Sequence, residues 1–143
     1  MIIEEFITRL QTSCPSLQNR VYGSVELALA QATSMITPCA FVMCISESGE
    51  ENTLMGQGFM QRITAQIGVI SIIKNAKDAR GQAGHIDLEA TRFEIRSALS
   101  NWTPTVAVMP TQFEKGQMLG YDNLTLRWND VFSSQYYYRN IST

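Results

Sequence analysis

Residues 59 to 74, Phe-Met-Gln-Arg-Ile-Thr-Ala-Gln-Ile-Gly-Val-Ile-Ser-Ile-Ile-Lys, constrain the chain more than any other stretch. Phe59, Ile63, Ala65, Ile67 and Val69 recur at period two, the spacing of a strand with one apolar face. The opposite face changes from polar to apolar just after Gly68, at Ile70 and Ile72, so Gly68 is expected to mark a bulge. A strand this long needs partner strands and a covering layer, and the rest of the chain must supply both.

Cys39 to Ile45 is a short, nearly continuous apolar run, read as a strand covered on both faces. Phe113 to Tyr121 reads as another strand, with Gly116 and Gly120. After a turn at Asp122-Asn123, the shared parity of Leu124, Leu126, Trp128, Phe132, Tyr136 and Tyr138 predicts a last strand or strand pair. Three segments have helical period instead. Ile2, Ile3, Phe6, Ile7, Leu10 and Cys14 share one face, with Glu4 and Glu5 in the first turn and Pro15 as a stop. Ser24 is a suitable N-cap for a second helix carrying Val25, Ala28, Leu29, Ala32 and Ile36. A third helix, Ile86 to Trp102, is apolar on two sides: Leu88, Ile95, Leu99 and Trp102 on the larger, Ile86, Ala90 and Phe93 on the other. The larger side should pack on the sheet. The smaller needs either the first helix of the same chain or a neighbouring subunit.

Together these elements predict an α+β fold: a mostly antiparallel or mixed sheet of four to five strands, with about three helices packed against it. At 143 residues the chain is expected to form a single domain, 1–143. Ser46 to Gly58 reads as a long loop holding Glu47, Glu50 and Glu51, and loops of that length commonly carry function. Lys74, Lys77 and Arg80 form a small cationic loop, either a solvated turn or a contact surface.

Eleven Lys plus Arg against 13 Asp plus Glu give a net charge of -2 and a pI near 5.4, which argues against a free-standing nucleic-acid binder. The charged fraction of 17% is below the roughly 25% usual for soluble domains. A surface so poor in charge resists association weakly, so part of it is expected to lie under other subunits. The acidic N-terminus does not resemble a signal peptide, and no apolar run reaches membrane-spanning length, so a cytoplasmic setting without membrane contact is expected.

Catalytic chemistry finds little purchase. His85 is the only histidine, and it stands at a predicted loop–helix junction, where a solvated or capping role suffices. Cys39 and Cys44 are too far apart along one strand to share a tetrahedral metal, so Cys14, Cys39 and Cys44 are read as buried thiols with no disulfide. Gly81-Gln82-Ala83-Gly84 lacks the order of a dinucleotide or Walker loop. Tyr136, Tyr137 and Tyr138 must alternate faces on a strand, which breaks up any base-stacking row. No catalytic residue, cofactor or metal is expected.

Three stretches together resemble the phage tail terminator family of Mu-like phages and prophages, related in fold to the lambda-type terminator. They are Met1-Ile2-Ile3-Glu4-Glu5-Phe6-Ile7-Thr8-Arg9-Leu10; Asn75 to Gly81 with the helix ending Leu99-Ser100-Asn101-Trp102-Thr103-Pro104; and Lys115-Gly116-Gln117-Met118-Leu119 with Leu126-Arg127-Trp128-Asn129-Asp130-Val131-Phe132. The resemblance implies a non-enzymatic structural protein of the virion tail, assembled in the bacterial cytoplasm. It implies a self-associated ring, typically a hexamer, that caps the tail tube protein and offers a docking face to a head-connector protein. Lys77, Arg80, Phe93, Glu47, Glu50 and Glu51 are the candidate interface residues. A head-completion or neck protein of the same particle, and a small-molecule binding domain, are the alternatives.

Overall fold

The long alternating segment forms β3, Phe59–Lys74, the middle strand of a five-stranded sheet. A computed structural model describes residues 2–23, 36–51, 59–74, 82–121 and 125–140. The other strands are β1 (Val21–Gly23), β2 (Cys39–Gly49), β4 (Gln112–Tyr121) and β5 (Thr125–Asn140), in the order β1-β2-β3-β5-β4. Only β1 and β2 run parallel; every other pairing is antiparallel. The sheet is therefore mixed. Among the described residues there are two α-helices, α1 (Ile2–Ser13) and α2 (Gln82–Leu99), with a 3-10 turn at Pro15–Leu17. The helix expected from Ser24 falls almost wholly on residues outside the described ones.

Period two along β3 follows from what each face meets. Ala65, Ile67 and Val69 join Ala40 and Val42 of β2 and Phe132 of β5 under Phe6 and Leu10 of α1 and Ile95, Ala98 and Leu99 of α2. On the other face Ile70 and Ile72 cluster with Cys39 and Phe41. The two-sided apolar half of β3 thus serves two cores. Fully burying each aliphatic side chain stabilises by about 1.5–3 kcal/mol, so the helix-covered face is where the fold draws most of its stability.

The helix ends have local causes. Pro15 cannot continue α1; it opens the 3-10 turn, and left-handed Gln18 and Asn19 (φ 49° and 64°) redirect the chain into β1. Past the end of α2, Asn101 takes the left-handed conformation (φ 63°), and Trp102 returns to pack edge-on against Phe6 with ring centroids 5.3 Å apart. Trp102 thus lies three residues beyond the helix that was expected to contain it. At its start α2 begins at Gln82, so His85 belongs to the helix rather than to a loop.

Three further expectations need correction. Residues 46 to 49 are strand, pairing with Gln66, Ala65, Thr64 and Ile63, so the long loop begins later. Ser46, Glu47, Ser48 and Gly49 are all exposed, and without a buried face they carry no alternation to read. The bulge lies at Ile45 of β2, where the register shifts between Cys44 and Ser46, and not at Gly68. Gly68 is the facing vacancy: a Cβ there would lie 2.7 Å from Ile45 Cδ1 and 2.8 Å from Asn129 Oδ1. Finally, α1 does not cover the second apolar side of α2. Ala90 is exposed and Phe93 is 72% exposed, while Leu88, Ile95 and Leu99 are buried as expected.

Gly68→Ala should lower stability in urea unfolding by about 1–3 kcal/mol through overpacking. Adding Ile45→Ala should recover part of that loss. Unchanged stability in Gly68→Ala would mean the strands separate freely at this point.

Candidate assembly surfaces

The sheet extends past its helical cover. From Met60 to Thr64 on β3 every side chain is half-buried, and the neighbouring Ser46–Gly49 of β2 and Gln135–Tyr138 of β5 are exposed or half-buried. This ribbon is held by polar contacts. Tyr136 donates its hydroxyl to Glu47 at 2.9 Å, and Ser46 bonds Gln66 at 2.9 Å. Arg62 stacks over Tyr137 (5.8 Å to the ring centroid) and lies 3.8 Å from Glu50. Burial, followed by the hydrogen bond to Glu47, pushes the Tyr136 hydroxyl up to about 12, so it stays a donor at any physiological pH. Glu47 on β2, and Glu50 and Glu51 just past its end, are exposed. Tyr137 (38% exposed) and Tyr138 (52%) project from the ribbon to opposite faces, as strand geometry demands.

A second constellation locks α2 to β5 and β4. Asp130, completely buried, accepts from Arg92 Nη2 at 2.8 Å, from Arg92 Nε at 3.0 Å and from Trp128 Nε1 at 3.0 Å. The guanidinium lies 4.2 Å from the Trp128 ring centroid. Gly116 of β4 closes the site: a Cβ there would sit 2.8 Å from Arg92, Asp130 and Trp128 alike. Of the segments singled out in the sequence for their resemblance, Leu126–Phe132 thus carries the carboxylate of the ion pair, and Lys115–Leu119 carries the glycine that lies against it. Composition gave no sign of this, because Arg92 pairs with a residue 38 positions away.

The third surface is the outer side of the helical layer. Arg9 donates to the Ala98 carbonyl at 2.9 Å and lies over Trp102. Glu5 accepts from the Thr105 amide at 2.9 Å and from its hydroxyl at 2.6 Å, and the Thr105 hydroxyl in particular holds the Glu5 carboxyl below its usual range. The other oxygen of Glu5 is buried without a hydrogen-bond partner. Between these groups runs an open groove of about 370 Å³ lined by Glu4, Glu5, Thr8, Arg9, Thr12 and Trp102. Elsewhere, Glu94 of α2 accepts from the Ser16 amide and hydroxyl, tying the 3-10 turn to the helix.

Of the candidate interface residues, Glu47 lies on β2, Glu50 and Glu51 follow its end, and Phe93 stands apart on α2; Lys77 and Arg80 lie outside the described residues. Cys14 and Cys39 are buried, and burial pushes their thiols up to about 12 and about 11. Cys44 is exposed, against expectation, because it lies where the helical cover ends. Its thiol is also raised, by desolvation and then by Glu47, so exposure does not make it a reactive thiolate. Among the described residues no group of three or more His, Cys, Asp and Glu could hold a metal, and no helix is long and apolar enough to cross a membrane.

A family model of phage tail terminator proteins matches residues 1–142. The chain belongs to the phage tail terminator family. Its fold is also that of a chain in a solved structure described as the virion of a native gene transfer agent particle. The two share 14% identity over 93% of this chain and 92% of that one, with a TM-score of 0.59. No curated protein matches. Membership in the terminator family makes this a tail structural protein.

Asp130→Ala should cost about 3–5 kcal/mol in urea unfolding, since it leaves the Arg92 charge without a counter-ion in a largely buried position. Replacing both partners, Arg92→Met with Asp130→Leu, should cost distinctly less. Equal losses in the single and double variants would show that the ion pair is not what joins α2 to the sheet.

Proposed function

We propose that this terminator closes the end of a tail tube as a ring of identical subunits, halts tube polymerisation and presents a docking face to the head connector. The match of the terminator family along residues 1–142 is the observation that carries this reading. Six copies are proposed for the ring. The low charged fraction supports a protein whose surface is largely covered on assembly. In this reading the ribbon bearing Glu47, Glu50 and Glu51 contacts tube or neighbouring subunits, Lys77 and Arg80 add a cationic contact, and Phe93 meets a neighbour. The activity is structural, with no chemistry at any site, and assembly takes place in the bacterial cytoplasm.

Tails assembled without this protein should be overlong and of irregular length, and supplying the wild-type chain should restore one defined length, measured by electron microscopy. Tails of normal length that fail to take heads would instead identify a neck protein.

A further inference from the structure

The sheet ends in two open edges. Among the described residues no strand pairs with the outer side of β4, and β1 covers β2 only at Ala40, Phe41 and Val42. Residues 44–49 of β2 and 114–117 of β4 are all exposed. Glu50 donates its amide to the Arg62 carbonyl at 2.9 Å, so by alternation Glu47 and Gly49 aim their N–H and C=O away from β3. Carried through the registers of β3 and β5, the same alternation turns Phe113, Gly116 and Met118 of β4 outward. Phe113 and Met118 pack with core residues under the helices, and Glu47 takes the Tyr136 hydroxyl on that same face. Residues opposite each other in an antiparallel pair must share a face, and the outward residues of these two edges do.

We infer that β4 of one copy adds antiparallel to residues 44–49 of β2 in the next copy, so that the subunits of the ring join edge to edge. Strand direction fits: β2, β3, β5 and β4 alternate, so a neighbour of the same orientation brings its β2 antiparallel to β4. Ile45 (47% exposed) and Leu119 (49%) are the extra residues where the registers of these two strands shift. An edge that stays free is commonly blunted by charge, whereas these bulges hold out apolar side chains. With faces matched, the register that brings Ile45 beside Leu119 sets Glu47 opposite Gly116 and Ser48 opposite Lys115. Through β5, Gly116 is level with Val69, and Glu47 is level with Ala65, so each copy steps four residues along over its four alternating strands. A step of about one residue per strand is that of a barrel with eight strands and shear 8, whose strands tilt by about 36° as the sheet closes on itself. Each copy offers both edges, so the contact repeats head to tail and closes. The contact rests on the ring proposed above and names the surfaces that join it.

Cross-linking within assembled tails tests it. In a chain carrying Cys44→Ser, Ser48→Cys and Lys115→Cys, a short bismaleimide should give a ladder of multimers that stops at the ring size. Either new cysteine alone should give none, and the remaining Cys14 and Cys39 are buried. Independently, Glu47→Pro removes an outward N–H that the subunit's own ladder does not use. It should lower incorporation into tails about tenfold more than Glu47→Ala, which loses only the carboxylate bonded to Tyr136. Equal incorporation of the two would overturn the contact. Tails of normal length that carry the double-cysteine chain but yield no ladder would overturn it while leaving the ring. Dimers from Lys115→Cys alone would pair β4 with a second β4 and overturn it as well. Absence of the wild-type protein from tail ends would overturn both.

Discussion

Sixteen residues of β3 pair with sixteen of β5 without a register shift, Phe59 opposite Asn140 and Lys74 opposite Thr125. At about 3.3 Å per residue that ladder is about 50 Å long, longer than the roughly 27 Å of an 18-residue helix. The two described helices therefore cover only part of it. The division of the chain into a packed part and an open ribbon follows from this mismatch. Where α1 and α2 lie on the sheet there is a core of Phe6, Leu10, Ile67, Ile95, Leu99 and Phe132. Where they do not, the same strands continue as a ribbon held by Tyr136–Glu47 and Arg62–Glu50. The first part supplies stability, and the second supplies surface.

The Arg92–Asp130 pair fixes how α2 sits on that ladder. A buried ion pair contributes little net stability compared with apolar residues of the same volume, but its geometry tolerates few alternatives. Here two hydrogen bonds from one guanidinium, a third from Trp128 and the close approach of Gly116 set the rotation of α2 about its axis. Once Leu88, Ile95 and Leu99 face inward, Phe93 must face out. The exposed knob on the outside is thus a consequence of a polar lock on the inside.

Much of this was legible in the sequence, for identifiable reasons. The α+β class, the long strand β3, the strand from Cys39, β4 and the inward side of α2 all rest on apolar periodicity, and burial enforces periodicity. Residues 46 to 49 were misread because a strand with no buried face has no period to show. The bulge was placed at Gly68 because glycine marks it, whereas the extra residue is Ile45 on the facing strand, and the glycine only makes room for it. Glu47 lies on β2, and Glu50 and Glu51 follow its end. The groove at Glu5, Arg9 and Trp102 was not seen, since its walls come from α1 and from a residue beyond α2, some 90 positions later. Only the register of two packed helices brings them together. Of the two covers open for Phe93, α1 is not the one, because α1 packs on the opposite flank, where Arg9 meets Ala98 and Glu94 meets Ser16.

The proposed function requires copies of this chain to form a single closed ring at one end of the tube. Electron cryomicroscopy of isolated tails, with this protein labelled, tests it directly. One ring of this chain at the head-proximal end, and none along the shaft, is the expected result. Label distributed along the tube, or single copies without rotational symmetry at its end, would contradict it.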